Sequence, residues 1–281
     1  MPEERPTDTT GDAILQAGQV VAGTYRVERL LGKGGMAAVW AATNQRTGKR
    51  VALKVIRGGS ETEASAAEML RREARAASRI NHPNVVNIYD VIEHGRLTCI
   101  VMELLDGEPL SAYLARRGFL GLEEAVTLLL PAMRGVAAAN VLGVVHRDLK
   151  PQNVFICVGV DGSMLTTKVL DFGISVASGK LPGALPLAQT VPTHGTPAYM
   201  SPEHIQGLAD LDGRADVYGF GVLFFEALTG QLPFLGAPGP DLLMRIVRYP
   251  PPRVTLFRPD LPAAAADIVE RAMAKDPKDR F

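Results

Sequence analysis

Four polar residues near the middle of the chain have the types and the spacing that phosphoryl transfer requires. Asp148, Lys150 and Asn153 lie in one short segment, and Asp171 directly precedes Phe172-Gly173. A lone Asp or Asn between two elements is usually a turn residue. As a set, however, these four supply an acceptor for a hydroxyl proton, a cation for the migrating charge and two oxygen ligands for Mg²⁺.

A glycine-rich segment near the N-terminus offers a place for phosphate groups. It joins two predicted strands and comprises Leu31, Gly32, Lys33, Gly34 and Gly35. Glycine lets the backbone turn tightly and brings its N–H groups close to an anion. Alone, the segment equally fits an ordinary hairpin. A Rossmann fingerprint is disfavoured because a strand follows, and a Walker A loop because no Gly-Lys-Ser/Thr closes the segment.

Lys54 is a candidate ligand for those phosphates. It lies in an apolar run, although a strand lysine commonly just extends its amine into water. In the next charged segment, Glu73 shares a helical stripe with Ala77 and Ile80. An unpaired carboxylate on an apolar stripe is costly, so we predict an ion pair between Glu73 and Lys54.

The elements that position these residues form two groups. The first group is rich in β-strands and contains one helix, and the second group is mainly helical. The predicted strands of the first group are 25–31, 37–43, 51–56, 86–93 and 97–103, and its helix is 61–79. In the second group, helices are predicted at 110–117, 122–142, 215–229, 241–247 and 263–275, with short strands at 154–158 and 165–170.

These patterns predict the domain organisation and the fold class. Residues 1–18 are expected to form a disordered leader, because they are rich in Pro, Thr and acidic residues. A small N-terminal lobe is expected over 19–105 and a larger C-terminal lobe over 106–281, with a hinge near 104–107. The predicted class is therefore α+β, with a cleft between two lobes.

Length and composition are those of an ordinary globular protein. The chain has 281 residues, of which 47% are apolar and 21% charged. Thirty basic and thirty acidic residues give zero net charge, which argues against nucleic-acid binding. The most apolar run, 217–228, is shorter than the roughly twenty residues of a membrane span, and no secretory signal is recognised. Cys99 and Cys157 are expected to be free core thiols in a reducing compartment.

Taken together, these motifs resemble those of the eukaryotic-like (Hanks-type) serine/threonine protein kinases. The resemblance covers residues 25–281 and rests on the glycine loop, the strand lysine, the segment His146–Asn153 and Asp171-Phe172-Gly173, in that order. The Gly-Gly-Met sequence in the loop is similar to that of bacterial members of the family. The resemblance implies a two-lobed kinase fold, with a β-rich N-lobe that carries one long helix and a mostly helical C-lobe.

The resemblance also assigns roles to individual residues. Asp148 would accept the proton of the substrate hydroxyl, and Lys150 would stabilise the transferring phosphate. Asn153 and Asp171 would hold Mg²⁺, while Lys54, paired with Glu73, would position the phosphates of ATP. The residues implied around ATP are Leu31, Gly32, Lys33, Gly34, Gly35, Val39, Ala52, Met102 as the gatekeeper, Glu103 and Leu105 as the hinge, and Phe155.

Further matches concern support and regulation. Glu203 closes the region that resembles an activation segment, and Arg280 stands where the family has its pairing arginine. Asp216 resembles the helix-start acid that braces the catalytic loop, and Thr196 a threonine that contacts Asp148 and Lys150. Because Arg147 needs an anion beside the site, we expect autophosphorylation in the preceding loop, at Thr190 or Thr193.

Some positions depart from the family pattern. Ala37 replaces the third glycine of the loop and Ser201 replaces an alanine. The interval from Asp148 to Asp171 is longer than usual, and we place the surplus at 161–166. The chain is also expected to stop about one helix short of a complete C-lobe, which we interpret as a truncation.

The predicted function is transfer of the γ-phosphoryl group of ATP to Ser/Thr hydroxyls of proteins, with Mg²⁺ or Mn²⁺ as the metal. The alternatives are a pseudokinase that binds ATP as an allosteric scaffold and a kinase of small molecules. The expected partners are protein substrates and, for autophosphorylation in trans, a second copy of the chain, but neither nucleic acid nor a membrane segment. The expected location is cytoplasmic, as a separate protein or as the cytoplasmic domain of a membrane-tethered one.

Overall fold

The computed structural model describes most of the chain. The described residues are 15–34, 37–57, 74–95, 97–159, 161–172, 197–208, 211–236 and 239–281. The chain divides into two compact units: the first comprises 1–67 and 88–104, and the second comprises 68–87 and 105–281.

The first unit is built around a six-stranded antiparallel sheet. The strand order is β1-β2-β3-β4-β6-β5, so only the last two strands depart from the order of the sequence. The strands are β1 Val20–Val21, β2 Tyr25–Lys33, β3 Ala37–Asn44, β4 Arg50–Arg57, β5 Ile88–His94 and β6 Leu97–Glu103.

One face of this sheet forms the core of the first unit. Val51, Leu53 and Val55 alternate along β4 and are almost completely buried, together with Cys99 and Val101 of the adjacent β6. A strand with a buried face shows this two-residue period. The intervening residues of β4 point to the opposite face, which is where Ala52 and Lys54 lie.

The start of the first unit corrects the expected leader. Leu15 is 1% exposed and packs with Val21 and Val27, and the Gly18 amide donates to the Val27 carbonyl at 2.8 Å. Residues 15–18 are therefore part of the folded unit. A single leucine in a polar stretch gives no periodic signal, which is why the sequence did not indicate this contact. The rest of the expected leader, 1–14, lies outside the described residues.

The second unit combines a small sheet with helices. Its antiparallel sheet has the order β7-β8-β9, with β7 Gly107–Pro109, β8 Val154–Val158 and β9 Met164–Val169. Its helices are α1 Leu110–Arg117, α2 Leu122–Val141, α3 Pro202–Ile205, α4 Gly213–Thr229, α5 Pro240–Arg248 and α6 Ala263–Ala272. Residues 74–77 are helical and also belong to this unit.

Helix α4 forms the centre of the second unit. Most of its residues are buried, including Tyr218 and Phe225, and it packs against α2 and α6. The Asp212 carboxylate accepts a hydrogen bond from the Arg214 amide at the start of the helix. At its end, Gly230 has φ 71° and caps the helix in the left-handed conformation, which a side chain would disfavour. The apolar run 217–228 is thus a buried helix.

The described helices include no candidate membrane span, since none combines the length and the apolarity that crossing a lipid bilayer requires.

Candidate active site

The first unit presents its predicted nucleotide-binding residues on one face of the sheet. In the strand register, Gly32 pairs with Val39, Val39 with Lys54, and Ala52 with Met102. Directly paired residues of antiparallel strands point to the same face, and so do residues two apart in one strand. These five residues therefore share the face opposite the buried core.

The glycine loop leaves this face open. A Cβ atom added to Gly32 would meet no atom within 4 Å, so the backbone here has free space beside it. The Gly34 amide donates to the Ala37 carbonyl at 2.8 Å and closes the turn. Leu31 and Lys33 are exposed, and Gly35 lies outside the described residues. The absence of side chains at Gly32 and Gly34 suits an approach of phosphate groups to the backbone.

The remaining nucleotide-binding candidates lie in or beside other strands. Glu103 is the last residue of β6 and pairs with Val51, whereas Leu105 is the first residue of the second segment, 105–281, of the second unit. Phe155 lies in β8 and pairs with Pro109 and Lys168. Glu73 lies outside the described residues, so its ion pair with Lys54 stays a prediction.

Asp148 is the centre of a hydrogen-bonded cluster in the second unit. Lys150 Nζ lies 2.7 Å from Asp148 Oδ2, and Asn153 Nδ2 donates to the same oxygen at 3.0 Å. Asn153 Nδ2 also lies 2.8 Å from the Asp148 carbonyl oxygen. The Asp148 side chain is 15% exposed and that of Lys150 is 20% exposed. The carboxylate is therefore fixed in orientation and still reaches solvent.

Asn153 and Asp171 have the chemistry of a divalent-metal site. Since Nδ2 of Asn153 is engaged with Asp148, its amide oxygen is turned away, and that oxygen has no hydrogen-bond donor among the described residues. The Leu170 amide donates to the Asn153 carbonyl at 2.8 Å, which ties the two segments together next to Asp171. An amide oxygen and a carboxylate fit Mg²⁺, which usually takes one or two protein ligands together with phosphate oxygens and water.

The backbone of Asp171 has an unusual conformation. Its φ is 57°, in the left-handed region that non-glycine residues seldom adopt. Asp tolerates this region better than most residues. Such strain persists when the surroundings enforce it, and it is common at functional sites.

A buried histidine connects the two loops that carry these residues. His146 is completely buried, its Nε2 lies 2.8 Å from the Leu170 carbonyl oxygen, and its Nδ1 accepts the Asp148 amide at 3.3 Å. A carbonyl can only accept, so these hydrogen bonds assign the proton to Nε2. The ring also packs on Phe172, with centroids 4.7 Å apart. His146 thus fixes the position of Asp148 relative to the segment of Asp171.

Asp216 supports the same loop from helix α4. Its Oδ2 accepts from the amide of His146 and from Asn140 Nδ2, both at 2.9 Å, and its Oδ1 accepts from the Arg147 amide at 3.0 Å. The carboxylate is 2% exposed. Three donors satisfy this buried group, and the backbone preceding Asp148 is held in place as a result.

Arg147 is arranged differently from its neighbours. Its φ is 65°, and it is exposed while the residues on either side are buried or partly buried. Within the described parts of the chain, no carboxylate forms an ion pair with its guanidinium. The pKa of His204 is lowered, first by the burial of that histidine and then by the charge of Arg147. The site thus contains a cation whose partner is not among the described carboxylates.

A second ion pair lies deeper in this unit. Arg280 donates to both carboxylate oxygens of Glu203, at 2.6 and 2.8 Å, and the two residues are 3% and 7% exposed. The other guanidinium donors bond to three backbone carbonyls, those of Arg214, Ala274 and Lys275. Burial alone would raise the pKa of Glu203, but the hydrogen bonds and charge of Arg280 outweigh it, so the pKa is lowered.

Comparison with known proteins identifies the family. Residues 25–281, which is nearly the whole chain, match the protein kinase domain family. The chain belongs to the protein kinase family. Membership implies the use of ATP with a divalent metal ion.

The relatives of this kinase domain include bacterial serine/threonine kinases. It is 36% identical over 271 residues to the serine/threonine-protein kinase PknA of Mycobacterium tuberculosis, covering 95% of this chain and 60% of PknA. It is 34% identical to PrkC of Bacillus subtilis, covering 94% of this chain and 39% of PrkC. The chain thus spans about 60% or less of the length of these relatives. The predicted resemblance to bacterial, eukaryotic-like kinases is confirmed.

Solved kinase domains share the fold. A variant of the PknI kinase domain of Mycobacterium tuberculosis superposes with a TM-score of 0.71 at 28% identity, covering 95% of this chain and 93% of that one. A second variant of the same domain gives a TM-score of 0.73 at 27% identity. The predicted α+β kinase fold is confirmed.

Sequence reasoning about the kinase site missed two supporting residues. The regulatory candidates Thr190, Thr193 and Thr196 lie outside the described residues and stay predictions. His146 and Asn140 were not proposed as site residues, although both support the loop of Asp148. His146 stands at the start of the recognised motif, which is a usable signal. Asn140 lies within a long helix and has no such signal, because its contact with Asp216 depends on tertiary packing.

Proposed function

We propose that this chain transfers the γ-phosphoryl group of ATP to serine and threonine hydroxyls of proteins. The observation that carries the proposal is the Asp148 cluster, in which Lys150 and Asn153 hold a partly exposed carboxylate. Asp216 accepts hydrogen bonds from the backbone of the same loop and so holds it in place. Phosphoryl transfer depends on positioning and electrostatic stabilisation, and a carboxylate with a fixed orientation supplies the first of these.

Asp148 and Lys150 would act on the reacting groups. The Asp148 oxygen that does not bind Lys150 and Asn153 orients the substrate hydroxyl and accepts its proton. Lys150, only 2.7 Å from Asp148, places a positive charge where the transferring phosphate gains negative charge. Lysine at this position also resembles the serine/threonine branch of the family rather than the tyrosine branch.

Asn153 and Asp171 would hold Mg²⁺, or Mn²⁺, through their side-chain oxygens. When bound, the ion neutralises charge on the phosphates of ATP. The protein's own contribution is to hold the two ligands in place, through the hydrogen bonds of Asn153 to Asp148 and of Leu170 to Asn153.

The open face of the first unit's sheet would bind the nucleotide. Lys54 reaches the phosphates beside the glycine loop, with Glu73 as its ion-pair partner. Val39 and Ala52 supply apolar contacts to adenine beside the gatekeeper Met102. The proposed hinge contacts are backbone groups of Glu103 and Leu105, and Phe155 is assigned to adenine binding by resemblance.

Regulation would use the charge of Arg147, which pairs with none of the described carboxylates. A phosphate on Thr190 or Thr193 would supply an anion for Arg147 and order the activation segment. Thr196 would contact Asp148 and Lys150. If the chain phosphorylates itself in trans, two copies must meet, and the initial rate rises with the square of enzyme concentration. We place the reaction in the cytoplasm, where ATP is available.

The test is incubation of the chain with γ-labelled ATP, Mg²⁺ and a generic basic protein, followed by analysis of the labelled residues. We expect labelled serine and threonine in the substrate, and labelled Thr190 or Thr193 in the enzyme by mass spectrometry. Asp148→Asn is the matched control, since it preserves shape and removes the proton acceptor. Nucleotide binding without any transfer by the wild type would instead indicate a pseudokinase.

A further inference from the structure

A surface depression lies between the end of helix α5 and helix α6 in the second unit. Its volume is about 400 Å³, within the range of sites that bind small ligands. Pro250 and Pro251, which follow α5, form one wall, and a face of α6 forms the other. Lys275, which comes just after the end of α6, also lines the depression. The depression therefore gives small molecules access to a lysine amine.

The Lys275 side chain is held in place by the way in which α5 ends. The last carbonyl groups of a helix have no donor within the helix, and Pro250 has no N–H to offer to the Ile246 carbonyl. Lys275 Nζ donates to this carbonyl instead, at 2.6 Å. The amine also lies over the ring of Phe234, 4.4 Å from its centroid. A proline in the sequence thus explains why this lysine is fixed beside the depression.

The carboxylates near Lys275 are engaged elsewhere. Asp267 and Glu270, which line the depression from α6, both form ion pairs with Arg253. Asp276 caps the short turn that follows Lys275. Among the described residues, no carboxylate forms an ion pair with the Lys275 amine. Its positive charge is therefore not neutralised by a direct partner.

Burial and nearby positive charge favour the neutral form of this amine. Arg271 also lines the depression, and Arg280 donates to the Lys275 carbonyl at 3.2 Å. Tyr218 of α4, whose ring centroid lies 5.7 Å from Nζ, stays neutral because burial raises its pKa. Burial, and then the charge of Arg280, lower the pKa of Lys275 to about 8. At about pH 7.5, roughly a quarter of the amine is then neutral, against roughly a thousandth for a lysine of ordinary pKa.

We propose that Lys275 is a site of acylation by a small acyl phosphate. The lone pair of the neutral amine attacks the acyl carbonyl carbon, so that a C–N bond forms. The C–O bond to the phosphate breaks, and the phosphate leaves with the electron pair of that bond. The nitrogen loses one proton to water, and the product is an amide. The step needs neither an oxidant nor a reductant.

The acylated side chain fits the same surroundings. An amide nitrogen keeps one N–H, which still donates to the Ile246 carbonyl, so α5 keeps its cap. The acyl group extends into the depression, beside Ala274 and the two prolines. Acylation also removes a positive charge from a partly buried position, where burial disfavours it. The proposal goes beyond the kinase function and does not depend on it, because the donor is an acyl phosphate and not ATP.

Lys278 supplies a control within the same molecule, because it is exposed and lies close to Lys275 in the sequence. The chain is incubated with acetyl phosphate at about pH 7.5 without ATP, and acetylation of each lysine is followed by mass spectrometry. We expect the initial rate at Lys275 to be roughly tenfold that at Lys278. The larger neutral fraction is partly offset because a less basic amine is a weaker nucleophile. An equal or slower rate at Lys275 would overturn the proposal.

The pH dependence distinguishes a less basic amine from one that is merely accessible. The rate at Lys275 should level off above about pH 8, whereas the rate at Lys278 should keep rising up to about pH 10. The ratio of the two rates should therefore fall as the pH increases. Parallel profiles for the two lysines would contradict the proposal.

A matched pair of variants tests the surroundings of the amine. Ala274 lines the depression with Lys275, so Ala274→Glu places a carboxylate beside the amine, and Ala274→Gln adds a side chain of the same size without the charge. A carboxylate favours the ammonium form, so acetylation of Lys275 should be roughly fivefold slower in Ala274→Glu than in Ala274→Gln. The rate at Lys278 should agree within about twofold. Equal rates at Lys275 in two folded variants would contradict the proposal, and if either variant fails to fold, the wild-type pH profile decides.

Discussion

Two of the carboxylate–cation pairs in the second unit differ in almost every respect. Asp148 and Lys150 lie two residues apart on one loop and remain partly exposed, at 15% and 20%. Glu203 and Arg280 come from positions 77 residues apart and are nearly buried. All the guanidinium donors of Arg280 are used, whereas one Asp148 oxygen is not engaged by Lys150 or Asn153.

This difference indicates a division of labour. A saturated, buried pair resists change and joins distant parts of the chain, but it has no capacity left for a substrate. The partly exposed pair keeps one carboxylate oxygen that neither Lys150 nor Asn153 engages, and Asp216 and His146 hold its loop in place. We therefore propose that stability and chemistry depend on separate pairs, so that substitutions affect them separately.

The largest expected effect on stability is that of Arg280→Met. The substitution leaves the Glu203 carboxylate buried without its cation, which typically costs about 3–5 kcal/mol. Urea unfolding followed by circular dichroism should show this loss in the free energy of unfolding. The kcat per folded molecule should stay within about twofold of wild type, because Arg280 touches none of the reacting groups. If Arg280→Met kept wild-type stability and lost activity, the Glu203–Arg280 pair would serve the reaction and not stability.

Lys150→Met should have the opposite profile. Removing the cation lowers stabilisation of the transferring phosphate, and we expect kcat to fall by roughly a hundredfold. The free energy of unfolding should change by less than about 1 kcal/mol, since the pair is partly exposed. Steady-state kinetics with a peptide substrate measures the first quantity and urea unfolding the second. Lys168→Met, at a lysine outside the Asp148 cluster, is the control.

Asp216→Asn should fall between these two. Asn keeps the shape of Asp but has one acceptor oxygen instead of two and carries no charge. It therefore loses at least one of the hydrogen bonds from the His146 amide, the Arg147 amide and Asn140, and those that remain are weaker. We expect kcat to fall about tenfold and stability by about 1–2 kcal/mol. If kcat and stability were both unchanged, Asp216 would not be the support of the catalytic loop.

The smallest expected effect is a change in pH dependence. Glu203 has a lowered pKa in the folded chain, so its stabilisation is complete above the usual pKa of glutamate. It is lost as the pH falls through the lowered pKa. In Arg280→Met, burial raises the pKa instead, and protonation relieves the buried charge. The stability difference between wild type and variant should therefore narrow as urea unfolding is repeated from pH 7 towards pH 4. A constant difference would contradict this assignment.

The sequence predicted long elements better than short ones. Strand β6 was predicted with its observed bounds, as was helix α1, because seven or eight residues show a clear apolar period. The strands Val20–Val21 and Gly107–Pro109 were not predicted, since two or three residues show no period. The predicted helix 263–275 ends at Ala272 instead, ahead of the proline at 277.

The candidate site was predictable where one short segment carries several functional groups. Asp148, Lys150 and Asn153 are close in sequence, and they are also close in space. The supporting contacts are not local. Asp216 and Asn140 are 76 residues apart, and Leu15 packs into the core from a polar stretch of sequence. These contacts form only in the folded chain, so the sequence alone does not predict them.

The central claim is that Asp148 serves the reaction and not the fold. Its direct test is the Asp148→Asn variant, with kcat, the Kd for Mg-ATP by calorimetry and the free energy of unfolding measured on one preparation. We predict a kcat about a thousandfold lower, as expected for loss of a general base, with the Kd and the stability close to wild type. An unchanged kcat, or a loss of activity that merely follows a loss of folding, would contradict the claim.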